Sequence, residues 1–134
     1  MKIVVLGSGR LGSRLANALV QKGHHVIIVD EDERKFKNLD EHEAIQRVGG
    51  NIFNDETASL VFSNPVDFFI VVTGSDNVNL MVAQALQKKY HIPRVVIRVF
   101  DPTLSGVYRD LGLETICPTH FALQEMLKTV EKGP

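Results

Sequence analysis

Cysteine is nearly missing from this sequence: Cys117 stands alone among 134 residues. One thiol excludes an internal disulfide framework and any CxxC motif, and it fits a reducing cytosol. Long hydrophobic runs are missing as well. No apolar stretch reaches the roughly 18 residues of a membrane span, and the first residues enter a strand pattern too soon for a secretory signal. The expectation is a cytoplasmic chain with no direct membrane insertion, peripheral to a membrane only through a partner. Neither sign of charge is in excess. Fifteen Lys and Arg against 16 Asp and Glu give a formal net charge of -1, which argues against a nucleic-acid groove. The five histidines (His24, His25, His42, His91, His120) show no metal spacing such as HExxH. No Ser–His–Asp set and no catalytic carboxylate pair stands out. No linker, low-complexity run or charge block divides the chain, so one domain over 1–134 is expected.

What is present is alternation. KIVVL (2–6), HVIIV (25–29), AIQRV (44–48), DFFIVVT (67–73), RVVIRVF (94–100) and ETIC (114–117) read as six strands. Between them lie helical patterns. Residues 10–22 carry Leu11, Leu15 and Leu19 at helical spacing, with Gly23 as the stop. Residues 32–43 form a charged helix with Phe36 and Leu39 inward. Further helices cover 55–62, 76–89, 102–112 and 119–131. Strands that read as continuous apolar runs are buried on both faces, and crossovers between parallel strands are right-handed. The pattern predicts an α/β fold: a Rossmann-like, doubly wound, parallel six-stranded sheet with helices on both faces. The stretches beginning at Ile3 and Phe69 share one plan of strand, turn, helix, strand and Asp. Two such halves meet at a switch point, where ligands sit beyond the strands' C-terminal ends.

Gly7, Gly9 and Gly12 make GxGxxG between the first strand and the first helix. The first glycine permits the tight turn, the second lets backbone approach a pyrophosphate, and the third lets helix pack closely on strand. The helix start adds free N–H groups and partial positive charge. Ser8, Arg10 and Leu11 belong to the same loop, and Arg10 adds a full charge near the phosphates. Asp30 ends the second strand, 18 residues after Gly12. A carboxylate there either accepts both hydroxyls of an adenosine ribose, which disfavours NADP, or caps the next helix. Glu31 and Asp32 either flank the sugar or form a solvated run.

Other polar residues fall at strand ends. Thr73 and Gly74 end the fourth strand and face the crevice of Gly7; Ser75 or Asp76 caps the following helix, and Asn79 reads as exposed. Arg98 interrupts an otherwise apolar strand, where an unpaired charge is costly. Its partners are a phosphate, Asp30 or Asp101, unless the strand lies at an edge. Asn51 either reaches an adenine edge or makes an Asx turn. Phe53 shields a base or, more in keeping with its type, packs in the core. Cys117 reads as a small buried residue. In the closing helix, Ala122, Met126 and Val130 form one row and Leu123 and Leu127 the next. With Phe121 they make a wide stripe, which covers the sheet or meets a second subunit.

At this point the chain resembles the N-terminal domains of regulators of potassium conductance, the RCK, KTN or TrkA-N family. The matching stretches are GSGRLGSRLA with Asp30, VVTGSDNVNL (71–80), IPRVVIRVFDP (92–102) and LGLETICPT (111–119). The resemblance runs from Lys2 to about Val130, and generic dehydrogenases do not share the last three stretches. It implies a non-enzymatic regulatory domain that binds an adenine nucleotide (NAD(H), ATP, ADP or AMP) and controls a membrane potassium channel or transporter. It also implies homo-oligomers, dimers or rings of dimers, paired through the closing helix. By resemblance, Gly7, Gly9, Arg10, Gly12, Asp30, Thr73, Gly74 and Arg98 fall at ligand-contacting positions. Two positions depart: the family's GDATD reads GGNIFND here, with Asn51 for the common Asp, and Thr119 stands where some ATP-binding members carry Glu. The rival reading is the cofactor-binding domain of an NAD-dependent oxidoreductase, whose substrate pocket requires a further domain.

Overall fold

The computed structural model describes all 134 residues. Six strands form one sheet: β1 (Lys2–Leu6), β2 (His25–Asp30), β3 (Ile45–Gly49), β4 (Phe68–Val71), β5 (Arg94–Arg98) and β6 (Glu114–Ile116). Every ladder is parallel and the order is β3-β2-β1-β4-β5-β6. The helices are α1 (Arg10–Gln21), α2 (Asp55–Val61), α3 (Asp76–Tyr90), α4 (Pro102–Asp110) and α5 (Pro118–Glu131), with a 3-10 helix at Glu33–Asn38. The expected doubly wound sheet is what the chain builds. Alternate residues of a strand face opposite sides, and here both sides are apolar. Val4 and Leu6 join one core with Ile27, Val29, Phe69 and the α3 residues Val82 and Ala83. Ile3 and Val5 join the other, with Ala16, Val20, Val26 and Ile28.

The strand order reverses between β1 and β4, and their ends lie side by side: Leu6 pairs with both Val29 and Val71. The loops after β1 and β4 therefore diverge over opposite faces of the sheet and leave a crevice between them.

Two expectations from the sequence need correction. The helix over 32–43 is only the six-residue 3-10 helix, which turns extended at Leu39 (φ -80, ψ 139). Asn17 of α1 stops it: its Nδ2 donates to the Asn38 carbonyl at 3.1 Å and its Oδ1 accepts the Asp40 N–H at 2.9 Å. Phe36 and Leu39 are nonetheless buried. The helix expected over residues 10–22 is α1; its buried residues are Gly12, Ser13, Ala16 and Val20, with Leu15 and Leu19 packed half-buried against that core and Leu11 exposed. That helix must approach β1 closely, and small residues permit it. Finally, α5 does not cover the sheet, since none of its residues is buried.

Candidate functional site

The crevice at the switch point is a cavity of about 680 Å³. Its floor is the glycine loop. Gly7 has φ +109, and a Cβ there would lie 2.8 Å from the Val72 carbonyl oxygen; only glycine turns the chain this way. A Cβ on Gly12 would fall 1.7 Å from the Gly7 oxygen, so α1 packs directly on the loop. Gly9 differs. It lines the cavity, and a Cβ there would meet nothing within 4 Å. No packing in the chain requires glycine at that position, which is the N-cap of α1; what an added side chain would take is room in the cavity. No side chain caps α1, so its first N–H groups are left for an anion.

The β2 side is acidic. The two Asp30 carboxylate oxygens accept the Ser8 and Asp32 N–H groups, each at 2.9 Å, which fixes the carboxylate and leaves each oxygen further acceptor capacity. Glu31 lines the cavity beside it. On the β3 side, Asn51 Oδ1 accepts the Phe53 N–H at 2.8 Å, an Asx turn, and both residues line the cavity.

The opposite side is basic. Arg98 Nη2 donates to the carbonyls of Val72 at 2.9 Å and Thr73 at 3.1 Å, and the guanidinium lies 4.4 Å from the centre of the Phe100 ring. Its Nε is buried without a partner. Burial pulls the Arg98 pKa below its ordinary value, against the attraction of Asp76. Asn79 organises this corner from below. It has no solvent exposure. Its Oδ1 accepts from the Thr73 N–H at 3.1 Å and from the Thr73 hydroxyl, and its Nδ2 donates to the Thr73 and Arg98 carbonyls at 3.2 and 3.0 Å. These bonds end the β4 ladder at Val71, short of the expected Thr73. Gly74 and Ser75 complete the rim, and the Ser75 hydroxyl caps α3 by accepting the Val78 N–H at 3.3 Å.

The family model described as the TrkA-N domain matches residues 3–118. This chain belongs to the TrkA-N family. The Trk system potassium uptake protein TrkA of Streptomyces coelicolor is 33% identical over 128 residues, 96% of this chain and 57% of that protein. The chain thus spans little more than half of that relative. In fold, this TrkA-N domain is similar to that of the inner membrane protein ybaL from Escherichia coli, with a TM-score of 0.83 at 16% identity over 96% of each chain. It is also similar to GsuK bound to ADP, with a TM-score of 0.82 at 19% identity over 99% of this chain and 34% of that one.

Within this TrkA-N domain, Gly7, Gly9, Asp30, Glu31, Asn51, Thr73, Gly74, Ser75 and Arg98 surround the cavity, whereas Ser8, Arg10, Leu11, Gly12 and Asp32 are not among its lining residues. The Ser8 hydroxyl is buried between Ser13 Oγ at 2.9 Å and the Lys35 carbonyl at 3.2 Å. Asp32 caps the 3-10 helix and pairs with Arg34. Arg98 pairs with neither Asp30 nor Asp101. Its strand is interior, between β4 and β6, so the edge reading fails; Asp101 instead caps α4 through Thr103. Asp76 does not cap α3 but accepts the Phe100 and Asp101 N–H groups at 2.8 and 3.1 Å. Phe53 is 45% exposed, not core, because Ile52 beside it takes the buried position.

Two residues escape the sequence reading. Lys35 lines the cavity, brought there by the tight 3-10 turn. Asn79 is buried, not exposed. Its signal was its row: Asn79, Val82, Ala83 and Leu86 form the inner face of α3. Cys117 is buried as expected, at the start of α5 rather than in β6. No group of three or more His, Cys, Asp or Glu is placed to hold a metal ion, and no helix is long and apolar enough to cross a membrane.

Proposed function

We propose that this TrkA-N domain is a non-enzymatic sensor of adenine nucleotides (NAD(H), ATP, ADP or AMP) that regulates a potassium channel or transporter from the cytoplasmic side. The observation that carries this reading is Gly9: a cavity-lining glycine that no packing in the chain demands, beside an uncapped helix start and a fixed carboxylate at Asp30. Phosphates fit the first, a ribose the second. The Trk uptake relative and ADP-bound GsuK support the regulatory reading and the ligand class.

The ligand's sugar rests on Asp30 and its phosphates on the loop of Gly7 and Gly9. Arg98 then meets whatever extends beyond them. A ligand shifts an equilibrium only by binding two arrangements unequally, and nucleotides that differ beyond the phosphates differ at Arg98. The exposed stripe of α5 pairs two copies, and the partner membrane protein feels the relation between them.

Calorimetric titration of the purified domain with AMP, ADP, ATP and NADH tests this reading. Uptake of at least one, lost in Asp30→Ala, is expected. No uptake of any of them at millimolar concentration would overturn it. NADH oxidation by the protein with a small carbonyl substrate would favour the oxidoreductase instead.

A further inference from the structure

We propose that Phe53 is the base-stacking platform of this cavity and that it contributes alike to every adenine nucleotide the domain takes. The inference rests on the nucleotide reading above and extends it to the base. The strand order sets the direction of the ligand. With the sugar on Asp30 at the end of β2 and the phosphates on the loop after β1, the base lies on the remaining side of β2. That side is β3, about 5 Å away in the sheet. The loop after β3 forms the wall there, and Phe53 is the one aromatic residue lining the cavity.

The loop presents this ring rather than merely tolerating it. Ile52, its neighbour, is 3% exposed and fills the core. Phe53 has no part in either core cluster. Its N–H is tied to Asn51 Oδ1, the Asn54 N–H is tied to the Asn51 carbonyl at 2.9 Å, and Asn54 caps α2. Backbone on both sides of the ring is therefore fixed before any ligand arrives, which lowers the ordering cost of binding. A flat base laid on the ring gains stacking that does not depend on the phosphates.

Three variants and two classes of probe test the inference. In Phe53→Ala, affinity for AMP, ADP and NADH should fall by a common factor of about ten, while affinity for ribose 5-phosphate, which lacks a base, stays unchanged. Phe53→Tyr should bind AMP like the wild type. The chain contains no Trp, so Phe53→Trp supplies a single tryptophan, whose fluorescence, excited beyond the tyrosine band, should change with AMP and not with ribose 5-phosphate. Wild-type AMP affinity in Phe53→Ala, an equal loss for ribose 5-phosphate, or constant emission at saturating AMP would each overturn the stacking role alone. Failure of the wild type to take up any nucleotide would overturn the site reading and this inference with it.

Discussion

Gly9 and Gly12 sit three residues apart in one loop, yet a methyl group would act oppositely at the two. At Gly12 it would collide with the Gly7 carbonyl oxygen, a backbone atom rather than the movable end of a side chain. Gly12→Ala should destabilise the fold by about 3 kcal/mol, seen as a lower midpoint in urea. At Gly9 the added group enters the cavity. Gly9→Val, which meets no neighbour but replaces the glycine N-cap of α1, should lower that midpoint less than Gly12→Ala does and abolish nucleotide uptake in titration calorimetry. The glycine spacing was legible in the sequence, but this division of labour was not, since it depends on which neighbours surround each Cβ position. Asn79 makes the same point from the other direction. Its burial could be read from its place beside Val82, Ala83 and Leu86, but its partners Thr73 and Arg98 belong to two different strand ends. Asn79→Leu keeps the branched heavy-atom skeleton and removes every bond, leaving the Thr73 N–H and the Arg98 carbonyl without that partner. The expected loss is about 2–4 kcal/mol by urea unfolding.

Among the elements, strands and helices with a strong apolar period were legible to within a few residues. The exceptions have tertiary causes. The segment 32–43 has a helical period through Phe36 and Leu39, but the Asn17 amide, 21 residues away from Asn38, takes the groups a longer helix would have used. The short edge strand β6 is held partly by a two-bonded ion pair, Arg94 to Glu114, across the β5–β6 ladder. The Arg94 guanidinium holds the Glu114 carboxyl below its ordinary value. A carboxyl depressed on folding adds stability that is present above its unfolded pKa and is lost as pH falls through the folded one. Both groups are about half exposed, so the gain is small. Amide exchange at Glu114–Ile116 should therefore quicken as pH, corrected for intrinsic rates, drops below the usual glutamate range. Glu114→Gln should show the faster exchange already at neutral pH.

For the whole molecule, the doubly wound topology followed from the alternation alone, because few other arrangements bury six apolar strands on both faces. The surface was harder to read. The closing helix has enough apolar residues to be core, and only the structure shows that Phe121, Leu123, Met126, Leu127 and Val130 are 52–74% exposed. Such a stripe on one helix fits a second copy of the chain. Mass measurement in solution should find an oligomer, and Leu123→Glu with Leu127→Glu should convert it to monomer while AMP affinity holds.

Arg98 belongs to the second half of the sheet, yet its side chain reaches back to hold the carbonyls that close β4, while Asp30 belongs to the first half. Both line one cavity. On the function proposed above, adenosine, bare of phosphate, would engage the carboxylate alone, whereas a dinucleotide would cross the seam to the guanidinium. The domain would then act as a ruler, gauging reach.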